Sequence, residues 1–308
     1  MSKVVIFGGT GLVGKELTEV LAIHDYNIVI VSRDKEKARN EFESFDYQDL
    51  ISFENLEDEI TVIQAINKAD AVINLSGAGI FDKRWTKKYK EVLFQSRIGT
   101  TKTVVKYISK TKEKPKVFIC SSAVGYYGGT LSDKQIDEKS PSGFDFLAQL
   151  CTAWENEANT AKNIVKRVIN IRSGIVLSNE GGALPMLKKS YKYKIGTYFR
   201  PGNQYFSWIH IEDLTYAILE CIENKKLIGP VDITSPNPVS HKELSLRFKE
   251  VYEPLITIPL PRKLARVVLG EAAETLTTGQ RVIPGKLTAI NFVFKYPEIL
   301  TALKNLED

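Results

Sequence analysis

The sequence predicts an α/β fold, a doubly wound parallel sheet with a smaller C-terminal lobe, and three observations predict it. Apolar runs rich in β-branched residues alternate with longer amphipathic stretches as far as about Ser235. Several of those runs have the continuous apolar character of strands buried on both faces. Beyond Ser235 the pattern changes, with Pro236, Pro238, Pro254, Pro259, Pro261, Pro284 and Pro297 punctuating short helical pieces.

Taken in order, Val4 to Phe7 reads as the first strand, followed by strands at Asn27 to Ser32, Ala71 to Leu75, Val117 to Ser121 and Arg167 to Arg172. The segments Val72-Ile73-Asn74-Leu75 and Val117-Phe118-Ile119-Cys120 are the doubly covered ones. Helical patterns lie between them, the longest from Thr86 to Lys110. A later strand is expected at Phe206 to Ile211, then a helix through Cys221 and a strand at Val231 to Thr234. No fixed-period repeat is visible, which excludes solenoids and propellers.

Composition bounds the function classes. Apolar residues make up 43% and charged residues 26% of 308, as in ordinary globular proteins, so disordered and fibrous classes drop out. The net charge of +5 is spread along the chain. Its densest cluster, Lys188, Lys189, Lys192 and Lys194 around Tyr191 and Tyr193, reads as a solvated rim, and no nucleic-acid-binding signature accompanies it. Cys120, Cys151 and Cys221 are odd in number and widely spaced, and His24, His210 and His241 are scattered, so neither a disulfide framework nor a metal site is expected. The first strand follows Met-Ser-Lys directly and no apolar run approaches 18 residues, so a cytoplasmic protein without a membrane partner is expected. No pattern fixes an oligomeric state.

The most informative motif joins the first strand to the first helix. Phe7 runs into Gly8-Gly9-Thr10-Gly11-Leu12-Val13-Gly14, and then into a helix carrying Leu17, Val20 and Leu21. Gly8 permits a tight turn, Gly11 lets backbone approach a pyrophosphate, and Gly14 lets helix and sheet pack closely. The phosphates would meet the free N–H groups and positive dipole end of that helix, with Thr10, Leu12 and Val13 completing the contacts. This is a dinucleotide site of the Rossmann type. At the end of the second strand, where an NAD(H) site offers an acidic residue to the ribose, stand Ser32 and Arg33. A guanidinium and a hydroxyl suit a 2′-phosphate, so NADP(H) is expected over NAD(H), with Asp34 as the residue that argues the other way. Residues 1–235 are thus read as the dinucleotide-binding domain, with a lobe insertion near 178–204, and 236–308 as a lobe over the substrate.

Further motifs extend this turn: Asn74-Leu75-Ser76-Gly77-Ala78-Gly79, Ser121-Ser122-Ala123-Val124-Gly125-Tyr126-Tyr127-Gly128 and Ser207-Trp208-Ile209-His210-Ile211-Glu212-Asp213-Leu214. With Arg84-Trp85, Ser96 to Thr101, Phe144 to Glu155, Arg172 to Leu177, Gly181-Gly182-Ala183, Gly202-Asn203-Gln204 and Gly279 to Pro284, the whole chain resembles a known family. It is the NAD(P)-dependent epimerase/dehydratase-like family of extended and atypical short-chain dehydrogenase/reductases, in its SDR39U1-type subfamily. The resemblance implies NADP(H) contacts from Ser32, Arg33, Asn74, Leu75, Glu91, Arg97 and Val176, and Ser121, at the end of the strand from Val117, is a further cofactor-binding candidate. On residue type alone, Glu91 and Arg97 read as a solvated helix pair.

In that superfamily a Ser works with a YxxxK pair to pass a proton while hydride moves to or from nicotinamide. Ser122 fits the first role, with Ser121 as the alternative, and either could simply cap the strand end. Counting on from Ser122, and back from Glu155, the Tyr and Lys positions fall on Leu147 and Cys151, and no tyrosine in the chain has Lys four residues later. Two readings stay open. One is an oxidoreductase or epimerase that recruits another acid/base, with Tyr126 or Tyr127 best placed and Glu138 and His210 next. The other is a non-catalytic protein that binds or senses NADP(H), with Tyr126 and Tyr127 as packing. Thiol chemistry at Cys151 is a weaker third. Lys188, Lys189, Arg200 and Arg172 hint at an anionic small-molecule substrate.

Overall fold

A computed structural model describes residues 2–307. From the N-terminus, β1 (Lys3–Phe7) leads into α1 (Leu12–Ile23), β2 (Asn27–Ser32), α2 (Lys35–Glu41), β3 (Ile51–Asn55), α3 (Glu59–Ile66), β4 (Ala71–Asn74), α4 (Lys87–Phe94), α5 (Thr100–Lys110) and β5 (Val117–Ala123). After a short β6 (Gln135–Ile136) come α6 (Phe146–Asn159), β7 (Arg167–Ser173), β8 (Ile175–Leu177), α7 (Leu184–Lys188), β9 (Ile195–Phe199), β10 (Tyr205–Phe206), β11 (Trp208–His210), α8 (Ile211–Glu223) and β12 (Gly229–Ile233). The remainder includes β13 (Val239–Ser240), α9 (His241–Tyr252), β14 (Ile256–Leu260), α10 (Arg262–Leu269) and β15 (Arg281–Val282).

Seven parallel strands form the central sheet in the order β12-β7-β5-β4-β1-β2-β3. The order reverses between β1 and β4, which opens a crevice at the carboxyl ends of those two strands. Successive residues of β1 feed opposite cores: Val4 and Ile6 pack with Leu17, Leu21 and Ile218, while Val5 and Phe7 pack with Val72, Val104 and Ile108. That is why its sequence is apolar without alternation. A third cluster, with Leu177, Leu184, Phe206, Trp208, Leu244, Phe248 and Leu303, builds a lobe beside the crevice from segments far apart in sequence.

Three expectations need correction. The strand read at Phe206 to Ile211 is broken at Ser207. Its hydroxyl donates to Gln280 O at 2.6 Å and accepts from Val282 N at 3.0 Å, so β10 pairs with β13 and β11 with β8. The helix from Thr86 to Lys110 contains a π-helical turn at Gln95–Gly99. The sheet also has an edge strand, β3, that the apolar pattern did not single out, because Ile51–Asn55 is largely half-buried. The tail is strapped back onto the sheet domain: β15 pairs with β6, and Thr130 bridges to Gly279.

Candidate functional site

Gly8 has φ +80°, and a Cβ there would lie 2.9 Å from Leu75 C and Ser76 N, so the turn after β1 packs directly on the backbone following β4. A Cβ at Gly14 would come within 2.5 Å of Gly9 O and 2.6 Å of Gly8 O, so this glycine serves the turn's own carbonyls. Gly11 differs. A Cβ on it would meet nothing closer than Gly8 O at 3.4 Å, it is solvent-exposed, and as N-cap of α1 it supplies no side-chain cap. The first N–H groups of α1 therefore open onto free space, a cradle for an anion that a side chain at 11 would fill.

At the end of β2, Ser32 Oγ accepts from Asp34 N at 3.2 Å, and Asp34 caps α2 by accepting from Lys37 N at 3.0 Å. The Asp34 carboxylate is thus engaged by the helix, while the exposed Arg33 makes no ion pair among the described residues. Asn74 is fully buried, donating to Thr101 Oγ1 at 2.9 Å and accepting from Ser76 N at 3.1 Å; its side chain shapes the turn after β4. Arg97 donates to Ala78 O at 3.0 Å with its guanidinium 5.2 Å from the Trp154 ring. Glu91 points away into solvent, bonded to Gln95 at 2.7 Å, so the structure does not bring it to the crevice.

The crevice deepens into a cavity of about 1070 Å³. Leu12, Val13, Leu75, Arg97, Ser121, Ser122 and Val176 line it, as do Leu147 and Cys151. The latter two stand against the end of β5, where a Cβ on Gly125 would lie 3.2 Å from Leu147 Cβ and 3.8 Å from Cys151 Sγ. Burial, and then Glu155, push the Cys151 thiol up to about 12, so it carries no thiolate at neutral pH.

Behind Ser122 lies a buried polar network whose order follows from strand register. Ser122 of β5 is level with Arg172 of β7, which is level with Asp232 of β12. Ser122 Oγ donates to Glu155 Oε1 at 2.7 Å, and Arg172 grips the same carboxylate with Nε at 2.7 Å and Nη2 at 2.8 Å. Arg172 Nη1 donates to the Tyr127 hydroxyl at 2.9 Å, and that hydroxyl donates to Asp232 Oδ2 at 2.7 Å. Burial works against the charge on Arg172, and the bonds to Glu155 more than restore it. Burial, and then Glu138, hold Asp232 well above the ordinary carboxylate range. Burial followed by Asp232 pushes the Tyr127 phenol far up.

This corrects the reading of the two tyrosines. Neither lines the cavity: Tyr127 is committed to Arg172 and Asp232, and Tyr126 lies flat on the guanidinium, 3.4 Å from its ring centre. The 3₁₀ turn Val124–Tyr127 carries both past the end of β5 toward β7. Glu138 and His210 are structural too. Glu138 accepts from Asp232 N and Lys286 N, both at 3.1 Å, and His210 caps α8, accepting from Glu212 N at 3.2 Å and meeting Asn305 Oδ1 at 3.1 Å. Of the cations taken to hint at an anionic substrate, Lys189 lines the cavity; Lys188 pairs with Glu307 at 2.7 Å and Arg172 with Glu155. Sequence reasoning missed two residues here: Glu155 as the partner of Ser122, and His241, which lines the cavity.

Comparison with known proteins agrees with this architecture. Residues 4–233 match the model of the NAD dependent epimerase/dehydratase family, and residues 260–306 match a domain of unknown function, DUF1731. An epimerase family protein of Staphylococcus aureus is 35% identical over 306 residues, 99% of each chain. The chloroplastic SDR39U1 homolog of Arabidopsis thaliana is 35% identical over 98% of this chain and 85% of its own. The crystal structure of human epimerase family protein SDR39U1 with NADPH superposes with a TM-score of 0.88 at 28% identity, covering 99% of both chains. The UDP-glucuronic acid 4-epimerase of Bacillus cereus, crystallised with UDP-glucuronic acid and NAD, shares the fold alone, with a TM-score of 0.75 at 15% identity over 99% of this chain and 98% of its own. Among the described residues no helix is long and apolar enough to cross a membrane.

Proposed function

The chain belongs to the NAD dependent epimerase/dehydratase family, in its SDR39U1-type subfamily, and on that premise we propose that it binds NADP(H) in the glycine turn. The observation that carries the proposal is the uncapped N-terminus of α1 at Gly11, opening onto a crevice at the sheet's switch point. The α1 N–H groups would take the pyrophosphate, Arg33 and Ser32 the 2′-phosphate, and Leu75, Ser121 and Val176 would flank the nicotinamide end. The NADPH bound to human SDR39U1 supports this choice over NAD(H). When bound, the nicotinamide supplies or takes up a hydride.

The chemistry beside it would run without a Tyr–Lys relay, because Leu147 and Cys151 occupy those places. Ser122, whose proton goes to Glu155, would accept a hydrogen bond from a substrate hydroxyl there, in an oxidoreductase- or epimerase-type reaction. The engagement of the Ser122 hydroxyl by Glu155 favours a second reading, a protein that binds or senses NADP(H) without turnover. Calorimetric titration of both cofactors tests the binding proposal, and roughly ten- to hundred-fold tighter NADPH is expected from one charge-assisted phosphate contact. Equal affinities would refute it. Following nicotinamide absorbance with a panel of carbonyl compounds and nucleotide sugars separates the two readings. Turnover of any one selects the enzyme, and stoichiometric binding with none selects the sensor.

A further inference from the structure

Beyond Ser122 the cavity has two facing walls. Trp85, Phe146, Leu147 and Leu150 form one, with the Trp85 and Phe146 rings 4.9 Å apart. Tyr191, Tyr198, Phe199, Leu244 and Phe248 form the other, with the Tyr191 and Phe248 rings 5.2 Å apart. The charged groups among the lining residues are engaged or peripheral. Asp145 accepts from Ala148 N at 2.9 Å and Gly129 N at 2.7 Å, Asp82 accepts from Gly79 N at 3.2 Å, and Arg97 is tied to Ala78 O. Lys189, Glu271 and Glu274 are solvent-exposed, and Glu271 pairs outward with Lys90. A second diphosphate would need buried cations to replace its hydration, and among the described residues these two walls present none.

Of the polar side chains on the cavity, Ser190 is bonded to Thr197, Thr275 to Ala272 O and Gln280 to Gly128 O, and His241 stands apart from them. His241 opens α9, is 7% exposed, and sets its ring edge-on to Phe206 at 5.6 Å. Its imidazole makes no hydrogen bond to any described residue, and its nitrogens are not sealed in protein, so they open to the cavity, where a ligand can satisfy them. Burial lowers its pKa to about 4, so at neutral pH it presents one N–H donor and one acceptor nitrogen.

We infer that this half of the cavity takes a bulky, mostly apolar ligand with a single hydrogen-bonding group, such as a carbonyl, received by His241, and not a nucleotide sugar. The inference rests on the cofactor reading above, which fills the other half of the same cavity.

The test is calorimetry on the full chain, with and without saturating NADPH, using 2-acetylnaphthalene, its hydrocarbon isostere 2-isopropenylnaphthalene, and UDP-glucose. Both naphthalenes should bind saturably, the ketone about five- to tenfold tighter for its one hydrogen bond, and UDP-glucose should not compete. His241→Phe, which keeps ring volume, should erase the preference for the ketone. Met186→Trp, which fills the cavity from a half-exposed position, should weaken both naphthalenes about tenfold. Competition by UDP-glucose, absence of saturable naphthalene binding, or a ketone preference that survives His241→Phe would each overturn the inference. A protein that binds the ketone but not NADPH refutes the cofactor reading and leaves this one standing.

Discussion

The glycine turn and the end of β5 lie on the same crevice but are built from different material. In the turn the groups that face the crevice are backbone N–H donors, and the side chains have been removed so that they can be reached. At the end of β5 the groups are side chains, and nearly all are bonded to one another: Ser122 to Glu155, Glu155 to Arg172, Arg172 to Tyr127, Tyr127 to Asp232. A site made of backbone persists as long as the fold does. One made of side chains can be redirected by a few neighbours, and here the neighbours bind one another.

Arg172→Met strikes the side-chain region and has the largest expected effect. It strips a buried Glu155 of its bidentate partner and should cost about 3–5 kcal/mol in urea denaturation, while the folded fraction still binds NADPH. A loss below about 1 kcal/mol would break the view that this corner is structural. Gly11→Leu is the mirror experiment on the turn. NADPH binding should weaken at least about hundredfold, near 2.7 kcal/mol, with the melting temperature of the free protein little changed. Undiminished binding would put the phosphates elsewhere.

Arg33→Ala probes the open end of the turn more gently. NADPH should lose roughly tenfold in affinity and NADH almost nothing, so an unchanged ratio between the two would show that Arg33 does not select the cofactor. Asp232→Asn sharpens the contrast in the network. Because the folded state holds a proton on Asp232 that the unfolded chain releases, stability should fall as pH rises from the ordinary carboxylate range toward the raised folded value. Asn mimics the neutral acid, so the variant should cost under about 1 kcal/mol and flatten that slope above the ordinary carboxylate range; the same slope in wild type and variant would mean that Asp232 does not produce it. Cys151→Ala is expected to do least, leaving NADPH affinity and any turnover within about threefold. A loss near 10³ in rate would make the thiol a proton-transfer group.

The sheet and the turn were legible because their demands are local. A doubly covered strand must be apolar residue by residue, and a turn with φ +80° at Gly8 needs glycine there. The network was not legible, because Ser122, Arg172 and Asp232 come from three strands brought level by inter-strand register and Glu155 from a helix packed against them. Tyr127 looked well placed because it follows Ser122 closely in sequence. The 3₁₀ turn at Val124–Tyr127 removes it from the cavity, and nothing in the residue pattern announces that turn. His241 escaped notice as one scattered histidine, since its meaning depends on the lobe that α9 helps to build.

The strap that ties Gly279 to Thr130 and β15 to β6 also sets a timetable. Translation makes the glycine turn long before Leu276 and Gln280, which also line the cavity. A nascent chain can therefore form the glycine turn well before the tail's share of the cavity wall exists.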